Sequence, residues 1–91
     1  MNEGNVKLLK RIEDVIYMWD PLYKFVSQKN SEVYTDEILN LYDLALSKTL
    51  DSNLLNEALY ETFKINKEDN FYDQCVSISS EIMDFRNSLY N

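Results

Sequence analysis

Apolar side chains recur every three or four residues in four separate stretches of this chain, and two-residue alternation is absent over any useful length. A repeat of three to four residues places apolar side chains on one face of an α-helix, whereas strict alternation would indicate a strand. One glycine and one proline in 91 residues leave little of the turn chemistry that β-hairpins need. The pattern predicts an all-α chain, with residues 1–91 forming a single helical domain built as a small antiparallel bundle of three to four helices.

Caps and breaks separate the predicted helices. The first helix runs from about Asn5 to Trp19 and ends at Asp20-Pro21, because proline disfavours the helical conformation in the residue before it. The same pair can start a short turn, with Asp20 as its N-cap and Pro21 at the first helical position. A loop is expected over Gln28–Ser31. The other three helices are expected over about 32–47, 51–64 and 66–89, the third of the four capped by Asp51 or Ser52.

Each predicted helix has an apolar stripe that we expect to face the core. The stripe of the first helix is Leu8, Leu9, Ile12, Val15, Ile16 and Trp19. The stripe of the second is Tyr34, Ile38, Leu41, Tyr42 and Ala45, widened by Leu39 and Leu46, whereas Leu44 lies among polar neighbours and is expected to be exposed. The stripe of the third is Leu54, Leu55, Ala58, Leu59, Thr62 and Phe63, and that of the fourth is Phe71, Cys75, Ile78, Ile82, Phe85 and Leu89.

Histidine is absent and Cys75 is the single cysteine, which narrows the chemistry available to the chain. Without histidine there is no imidazole general base and no Ser-His-Asp type of triad. Cys75 lies on the apolar seam of the last predicted helix, so we expect a packed, unreactive thiol, and a lone cysteine fits a reducing cytoplasm. The longest apolar run, Val15–Trp19, is far short of the roughly 20 residues that cross a bilayer, and no signal peptide is recognisable.

Carboxylate pairs are the only metal candidates in the sequence. Glu57 and Glu61 are one helical turn apart, and Glu81-x-x-Asp84 lies on the last predicted helix. All-helical nucleotide pyrophosphatases bind magnesium through Glu-Glu-x-x-Glu followed by Glu-x-x-Asp, and only the second half of that pattern occurs here. No glycine loop lies nearby to hold a phosphate. We therefore expect solvated helix faces, with no catalytic residue, no metal, no cofactor and no enzymatic activity.

Negative charge is concentrated in the middle of the chain. The net charge is −7, and residues 32–63 hold seven acidic side chains against one basic one. Such a field repels phosphate backbones and anionic membranes, which argues against nucleic-acid or membrane partners. It attracts a basic protein and speeds the encounter. The simpler alternative is an acidic surface that only maintains solubility.

Tyr60 is the candidate anchor of an acidic interface. On a helical wheel it points away from the predicted inward stripe of Leu55, Leu59 and Thr62, so we expect an exposed tyrosine between Glu57 and Glu61. Tyrosine is favoured at interfaces, although a lone exposed tyrosine is also ordinary. The predicted partner-binding face is formed by the second and third helices: Asp36, Glu37, Asp43, Glu57, Tyr60 and Glu61.

The motif Trp19-Asp20-Pro21-Leu22 and the later Tyr34-Thr35-Asp36-Glu37-Ile38 carry a resemblance to a known family. With the late helix bearing Cys75, they make the chain resemble the YugE-like family of small helical proteins from Gram-positive bacteria, over about residues 8–86. The chain departs from the family pattern between Tyr23 and Val33, where glycines would be expected. The resemblance implies a helical fold and transfers no functional residue. Read by itself, the motif predicts a buried tryptophan at a helix end, an aspartate cap and a proline break.

In size, charge and surface the chain is also similar to bacterial toxin-immunity proteins, which are often small acidic helical bundles. The leading hypothesis is therefore a cytoplasmic binding protein, most concretely an immunity or inhibitor protein that neutralises a basic toxin by occlusion. A second hypothesis is a homo-oligomeric structural or regulatory protein, and a third is a phage-derived inhibitor that mimics the charge of DNA. The oligomeric alternative would pack four side chains between copies: Leu44, Tyr72, Val76 and Met83.

Overall fold

The described part of the chain forms five helices. A computed structural model describes residues 3–22, 24–29, 32–47, 51–65 and 71–90, without the side chains of residues 71, 72 and 90. The helices are α1 (Glu3–Trp19), α2 (Lys24–Gln28), α3 (Thr35–Ala45), α4 (Ser52–Phe63) and α5 (Phe71–Tyr90). No strand occurs in these ranges, so the prediction of an all-α fold is confirmed. None of these helices has both the length and the apolar character needed to span a membrane.

The predicted apolar stripes of the first two long helices, α1 and α3, are part of the core. All four buried residues of α1, namely Leu8, Ile12, Val15 and Ile16, belong to its predicted stripe. The stripe of α3 is equally well buried, from Tyr34 just before the helix to Ala45 at its end. Leu39 and Leu46, expected to widen that stripe, are instead 46% and 38% exposed. Leu44, expected to be exposed, is half-buried and packs against the core.

The four long helices form a closed ring of neighbours. α1 packs against α3 and α5, and α4 packs against the same two helices from the other side. Each long helix therefore has two neighbours, so its buried arc is wider than a single apolar stripe. The seam of α5 occupies the centre of this arrangement, with Cys75 and Ile82 fully buried and Ile78, Phe85 and Leu89 partly buried.

Three helices end on left-handed residues that are not glycine. Asp20, Lys29 and Lys64 have φ angles of 47°, 52° and 55°, and they follow α1, α2 and α4 respectively. A left-handed residue is the usual way to stop a helix, and glycine adopts it at least cost. This chain has only Gly4, at the start of α1, so other residues take that conformation. Aspartate tolerates it better than lysine.

Polar side chains close two of the remaining helix ends. Asp51, one of the two N-caps expected for this helix, caps α4, because its Oδ1 accepts the backbone N–H of Leu54 at 2.8 Å. The guanidinium of Arg86 on α5 donates to the carbonyl oxygens of Ala45 and Ser47, each at 2.6 Å. A cation at the carbonyl end of a helix is favourable, so Arg86 both ends α3 and ties α5 to it. Gln28, expected to begin a loop, is instead the last residue of α2. The rest of that predicted loop at Asn30 and Ser31, and the predicted start of the last helix at Asn66, lie outside the described residues.

Candidate functional site

The acidic residues of the predicted interface lie on two neighbouring helices. Asp36 and Asp43 are exposed on α3, and Glu57 and Glu61 are exposed on α4, which packs against α3. Glu37, in the first turn of α3, is half-buried. Four of the five predicted interface carboxylates are therefore exposed to solvent as expected, and Glu37 is partly so.

Tyr60 is not that anchor, because its side chain is only 5% exposed and belongs to the hydrophobic core. Its hydroxyl accepts a hydrogen bond from the Nδ2 of Asn56 at 3.0 Å, which satisfies the buried phenol locally. Leu54, predicted to face inward, is 51% exposed. The buried arc of α4 is thus rotated from the predicted stripe towards Asn56 and Tyr60. The physical reason is that α4 packs against both α3 and α5, which covers a second side of the helix.

The side chains assigned to the oligomeric alternative do not form one exposed patch. Met83 is 8% exposed and packs in the core, and Leu44 is half-buried. Val76 is 44% exposed on α5, while the side chain of Tyr72 lies outside the described residues. Met83 is therefore not available for contacts between copies, because α5 packs against both α1 and α4 and this side chain is buried there.

The Trp19-Asp20-Pro21-Leu22 motif is a structural joint between α1 and α2. Asp20 is 7% exposed, and its two carboxylate oxygens each accept a backbone N–H at 3.0 Å, from Phe25 and Val26 in the first turn of α2. Asp20 is thus a cap for α2, as expected, but that helix begins at Lys24 rather than at Pro21. The Asp20 carboxylate therefore accepts hydrogen bonds from the first turn of α2 although Asp20 is not adjacent to that helix in sequence.

Tyr34, immediately before α3, connects that helix to the same joint through its hydroxyl group. Its hydroxyl donates to Asp20 and accepts the backbone N–H of Leu22 at 3.2 Å and of Lys24 at 3.4 Å. Burial raises the pKa of Tyr34 to about 12, reinforced by its hydrogen bond to Asp20. Burial also acts to raise the pKa of Asp20, but the hydrogen bonds from Tyr34 and the α2 backbone outweigh it and hold that pKa below 3.8. The ionised carboxylate and the neutral phenol are therefore the stable pair.

Aromatic rings surround this joint. Tyr34 contacts Tyr17 and Phe63, with ring centroids 5.5 and 5.7 Å apart. Trp19 contacts Phe63 edge-on at 5.6 Å, and it is half-buried rather than fully buried as the sequence predicted. Edge-to-face contacts at these distances are favourable. The motif therefore positions Trp19 beside the core, with one part of its ring system left on the surface.

A groove between α1 and α5 lies on that surface. It has a volume of about 800 Å³, and Val15, Trp19 and Ile78 contribute apolar lining. Met18 lies at the groove and is 90% exposed, the highest value among the large apolar side chains of the described residues. A thioether left in water at a groove between two helices contributes little to folding. The groove therefore combines an apolar lining with an apolar side chain exposed at its edge.

Polar contacts between α1 and α5 mark the two ends of this groove. At one end the indole N–H of Trp19 donates to Oε1 of Gln74 at 2.6 Å. At the other end Arg11 pairs with Glu81 at 3.2 Å and lies over the ring of Phe85, 5.2 Å from its centroid. These contacts hold the two helices at a set separation on each side of Val15 and Ile78, so the groove is a preformed feature of the fold.

The charged side chains that line the groove are mostly acidic. Asp14, Asp73 and Glu81 contribute three carboxylates, and Arg11 contributes the one cation. Arg11 is already paired with Glu81, and Asp14 pairs with Lys10 at 3.1 Å. Asp73 is exposed in the first turn of α5. The edge of the groove therefore presents an excess of negative charge around an apolar centre.

The predicted metal and cysteine candidates have structural surroundings. Glu81, of the Glu81-x-x-Asp84 pair, is engaged by Arg11, and the described residues contain no cluster of three cysteine or acidic side chains that could hold an ion. Cys75 is fully buried, and burial raises the pKa of its thiol to about 11. A thiol with such a pKa is almost entirely protonated at neutral pH, so its nucleophilic form is scarce. Its predicted packing position is confirmed.

One sequence signal for the groove was available in the run Val15–Trp19. Five successive apolar residues point in every direction around a helix, so they cannot all face one core. Val15, Ile16 and Trp19 belong to the predicted stripe of the first helix, and Met18 lies outside that stripe, which is consistent with its exposure.

Comparison of the chain with family models, with curated proteins and with solved structures found no match. The YugE-like resemblance therefore stays a prediction, carried by the quoted motifs.

Proposed function

We propose that this chain is a small protein-binding module that works by occlusion rather than catalysis, with the α1–α5 groove as its main binding surface. The observation that carries the proposal is the 90% exposure of Met18 at the edge of a preformed groove of about 800 Å³. Exposed apolar side chains rimmed by polar ones are typical of interaction surfaces. The groove replaces Tyr60 as the source of apolar contact area.

The side chains around the groove favour binding over chemistry. General acid–base work commonly uses a group whose pKa lies near neutral pH, and the chain has no histidine. The Arg11–Glu81 pair holds two of the charged groups in an ion pair. Cys75, the one thiol, is buried in the core and not among the residues that line the groove. The side chains that line the groove are therefore suited to contacting and orienting a partner protein.

The specific form of the proposal is an immunity or inhibitor protein for a basic bacterial toxin, located in the cytoplasm. The net charge of −7 supports it, since a negative surface steers a basic partner and raises the association rate. The exposed carboxylates of Asp36, Asp43, Glu57 and Glu61 contribute to that field from α3 and α4. In this form the groove sets the lifetime of the complex and the surrounding carboxylates set its rate of formation.

Site-directed photocrosslinking tests the choice of surface. Met18→Cys places a thiol at the groove, and Leu54→Cys places a matched one on α4, where Leu54 is 51% exposed. Cys75 is buried, with its pKa raised to about 11, so a thiol-reactive photoprobe should label only the introduced cysteine. In extracts of the source cells, we expect a partner protein to crosslink from position 18 and not from position 54.

The same experiment distinguishes the alternatives. Equal crosslinking from both positions, or none from position 18, would refute the groove as the binding surface. A crosslink from position 18 to a second copy of the chain would support the homo-oligomeric hypothesis instead. Identification of the adduct as a basic toxin domain would support the immunity form, and wild-type protein carried through the labelling controls for reaction at Cys75.

A further inference from the structure

We infer that the α1–α5 groove binds a basic amphipathic α-helix of its partner protein. This inference rests on the proposed binding function and adds the chemistry and shape of the segment that occupies the groove. Three properties of the groove carry it: its length along the two helices, the character of its apolar centre, and the sign of the charge at its edges.

The length of the groove fits a short stretch of helix. Its two ends are marked by Arg11 with Glu81 and by Trp19 with Gln74. Arg11 and Trp19 are eight residues apart on α1, which corresponds to about 12 Å or about two helical turns. Two helices in contact leave an elongated depression between them, and a third helix fills it by placing side chains at i, i+3 or i+4, and i+7.

The apolar centre suits aliphatic or aromatic anchors from such a helix. Val15 and Ile78 lie between the two polar ends, and Met18 stands at the edge with 90% of its surface in water. Methionine is flexible and polarisable, so it adapts its shape to different apolar side chains. A small ligand would be poorly enclosed beside so exposed a side chain, whereas a helix would cover it.

The charge at the groove edges selects a basic partner. Three carboxylates and one guanidinium line the groove, and two of the carboxylates are in ion pairs, Glu81 with Arg11 and Asp14 with Lys10. Lysine or arginine side chains flanking the apolar anchors of a partner helix would face the exposed carboxylate of Asp73. A second copy of this chain would bring the same carboxylates against one another, which is unfavourable. The observations therefore favour a basic helix of another protein over self-association.

Trp19 provides an intrinsic readout, because it is the single tryptophan of the chain and lines the groove. We would titrate the full chain with model peptides of about 15 residues, long enough to be helical, that contain no tryptophan. One peptide has leucine anchors at helical spacing with lysines on the flanks, a second replaces the lysines by glutamates, and a third adds a central proline. We expect saturable Trp19 fluorescence changes with the basic helix, at about tenfold higher affinity than with either other peptide.

Variants with matched controls separate the groove from the general acidity of the chain. Met18→Asp should abolish the response, whereas Leu54→Asp on α4 should leave it unchanged. Asp73→Asn should weaken binding about threefold, and Glu3→Gln, which removes the same charge from an exposed side chain at the start of α1 and outside the groove, should not. Added salt should lower the affinity for the basic peptide, because exposed charge pairs are screened.

The outcomes of this titration differ from those of the crosslinking experiment. Equal affinity for the basic and acidic peptides, equal affinity for the proline peptide, or no saturable response would overturn the inference. A concentration-dependent dimer that Met18→Asp abolishes would assign the groove to a second copy and would also overturn it. A partner that crosslinks at position 18 through an extended or acidic segment would refute the basic helix while leaving the binding function intact.

Discussion

The carboxylate of Asp20 accepts a hydrogen bond from the phenol of Tyr34, fourteen residues later in the chain. The same carboxylate accepts two backbone N–H groups of α2, so one side chain joins the end of α1, the start of α2 and the start of α3. A buried carboxylate is costly unless its oxygens are hydrogen-bonded, and here both are. The aspartate of the Trp19-Asp20-Pro21-Leu22 motif is thus accounted for by folding.

Removing the Asp20 carboxylate is predicted to destabilise the fold substantially. Asp20→Ala leaves the N–H groups of Phe25 and Val26 and the hydroxyl of Tyr34 without their acceptor, and it places alanine at a φ of 47°. We expect a loss of about 2–3 kcal/mol in the free energy of unfolding, measured by urea denaturation. Asp20→Asn keeps an acceptor oxygen and tolerates the left-handed backbone, so it should lose less. A loss no larger than that of Asp43→Ala, at an exposed site, would contradict this role.

Low pH is predicted to reduce the stability of the folded protein through protonation of Asp20. Because the pKa of Asp20 is held below 3.8 in the folded protein, the unfolded state takes up the proton first as the pH falls. The stabilising contribution is complete above about pH 4, the range of an ordinary aspartate, and is lost as the pH falls through the folded-state pKa. The stability difference between wild type and Asp20→Asn should therefore shrink below about pH 4. A difference that stays constant over that range would rule out the ionised cap.

High pH is predicted to destabilise the folded protein through ionisation of Tyr34, the hydrogen-bond partner of Asp20. The folded-state pKa of Tyr34 is raised from 10.0 to about 12, so the neutral phenol is favoured by folding. The contribution of Tyr34 to the free energy of unfolding is complete below about pH 10 and is lost as the pH rises from 10 to 12. Urea midpoints measured across this range should fall more steeply for wild type than for Tyr34→Phe, which has no phenol to ionise at that position. Parallel curves would show that Tyr34 titrates normally.

Tyr60 is predicted to behave as a core residue. Tyr60→Ala removes a side chain that is 5% exposed, and the resulting cavity should cost about 3 kcal/mol of unfolding free energy. Leu54→Ala on the same helix, where the side chain is 51% exposed, should cost less than about 1 kcal/mol. Thermal and urea unfolding of both variants provide the comparison. Equally small losses of unfolding free energy in the two variants would indicate that Tyr60 is exposed, as the sequence predicted.

Cys75 is predicted to resist modification until the protein unfolds. Its side chain is fully buried and its pKa is raised to about 11, so both access and the thiolate form are limiting. Labelling of native protein with a thiol reagent should be slow and should accelerate in urea, in step with unfolding. Met18→Cys supplies the control, since an exposed thiol on α1 should react at once in native buffer. Fast reaction of Cys75 in native wild type would show that the helix-five seam opens locally.

Local patterns in the sequence determined the helices and most of the core. Residues such as Leu8, Ile12, Ile38 and Leu41 are buried because a helix repeats every 3.6 residues, which periodicity alone reveals. Asp51 caps α4 and Asp20 ends α1 because both effects act within a few residues of the chain. The position of Cys75 on the seam of α5 follows from the same repeat.

Only the tertiary structure decided which arcs of each helix are covered. A helical wheel shows which residues share a face, but not how many neighbours the helix has, so Tyr60 became buried once α3 and α5 both packed against α4. The run Val15–Trp19 indicated that α1 has more apolar surface than one face can bury, but it could not locate the groove, because the ends of the groove join residues such as Trp19 and Gln74, 55 positions apart. Contacts between distant segments depend on how the helices pack together, and that packing leaves Met18 in water at the edge of the groove.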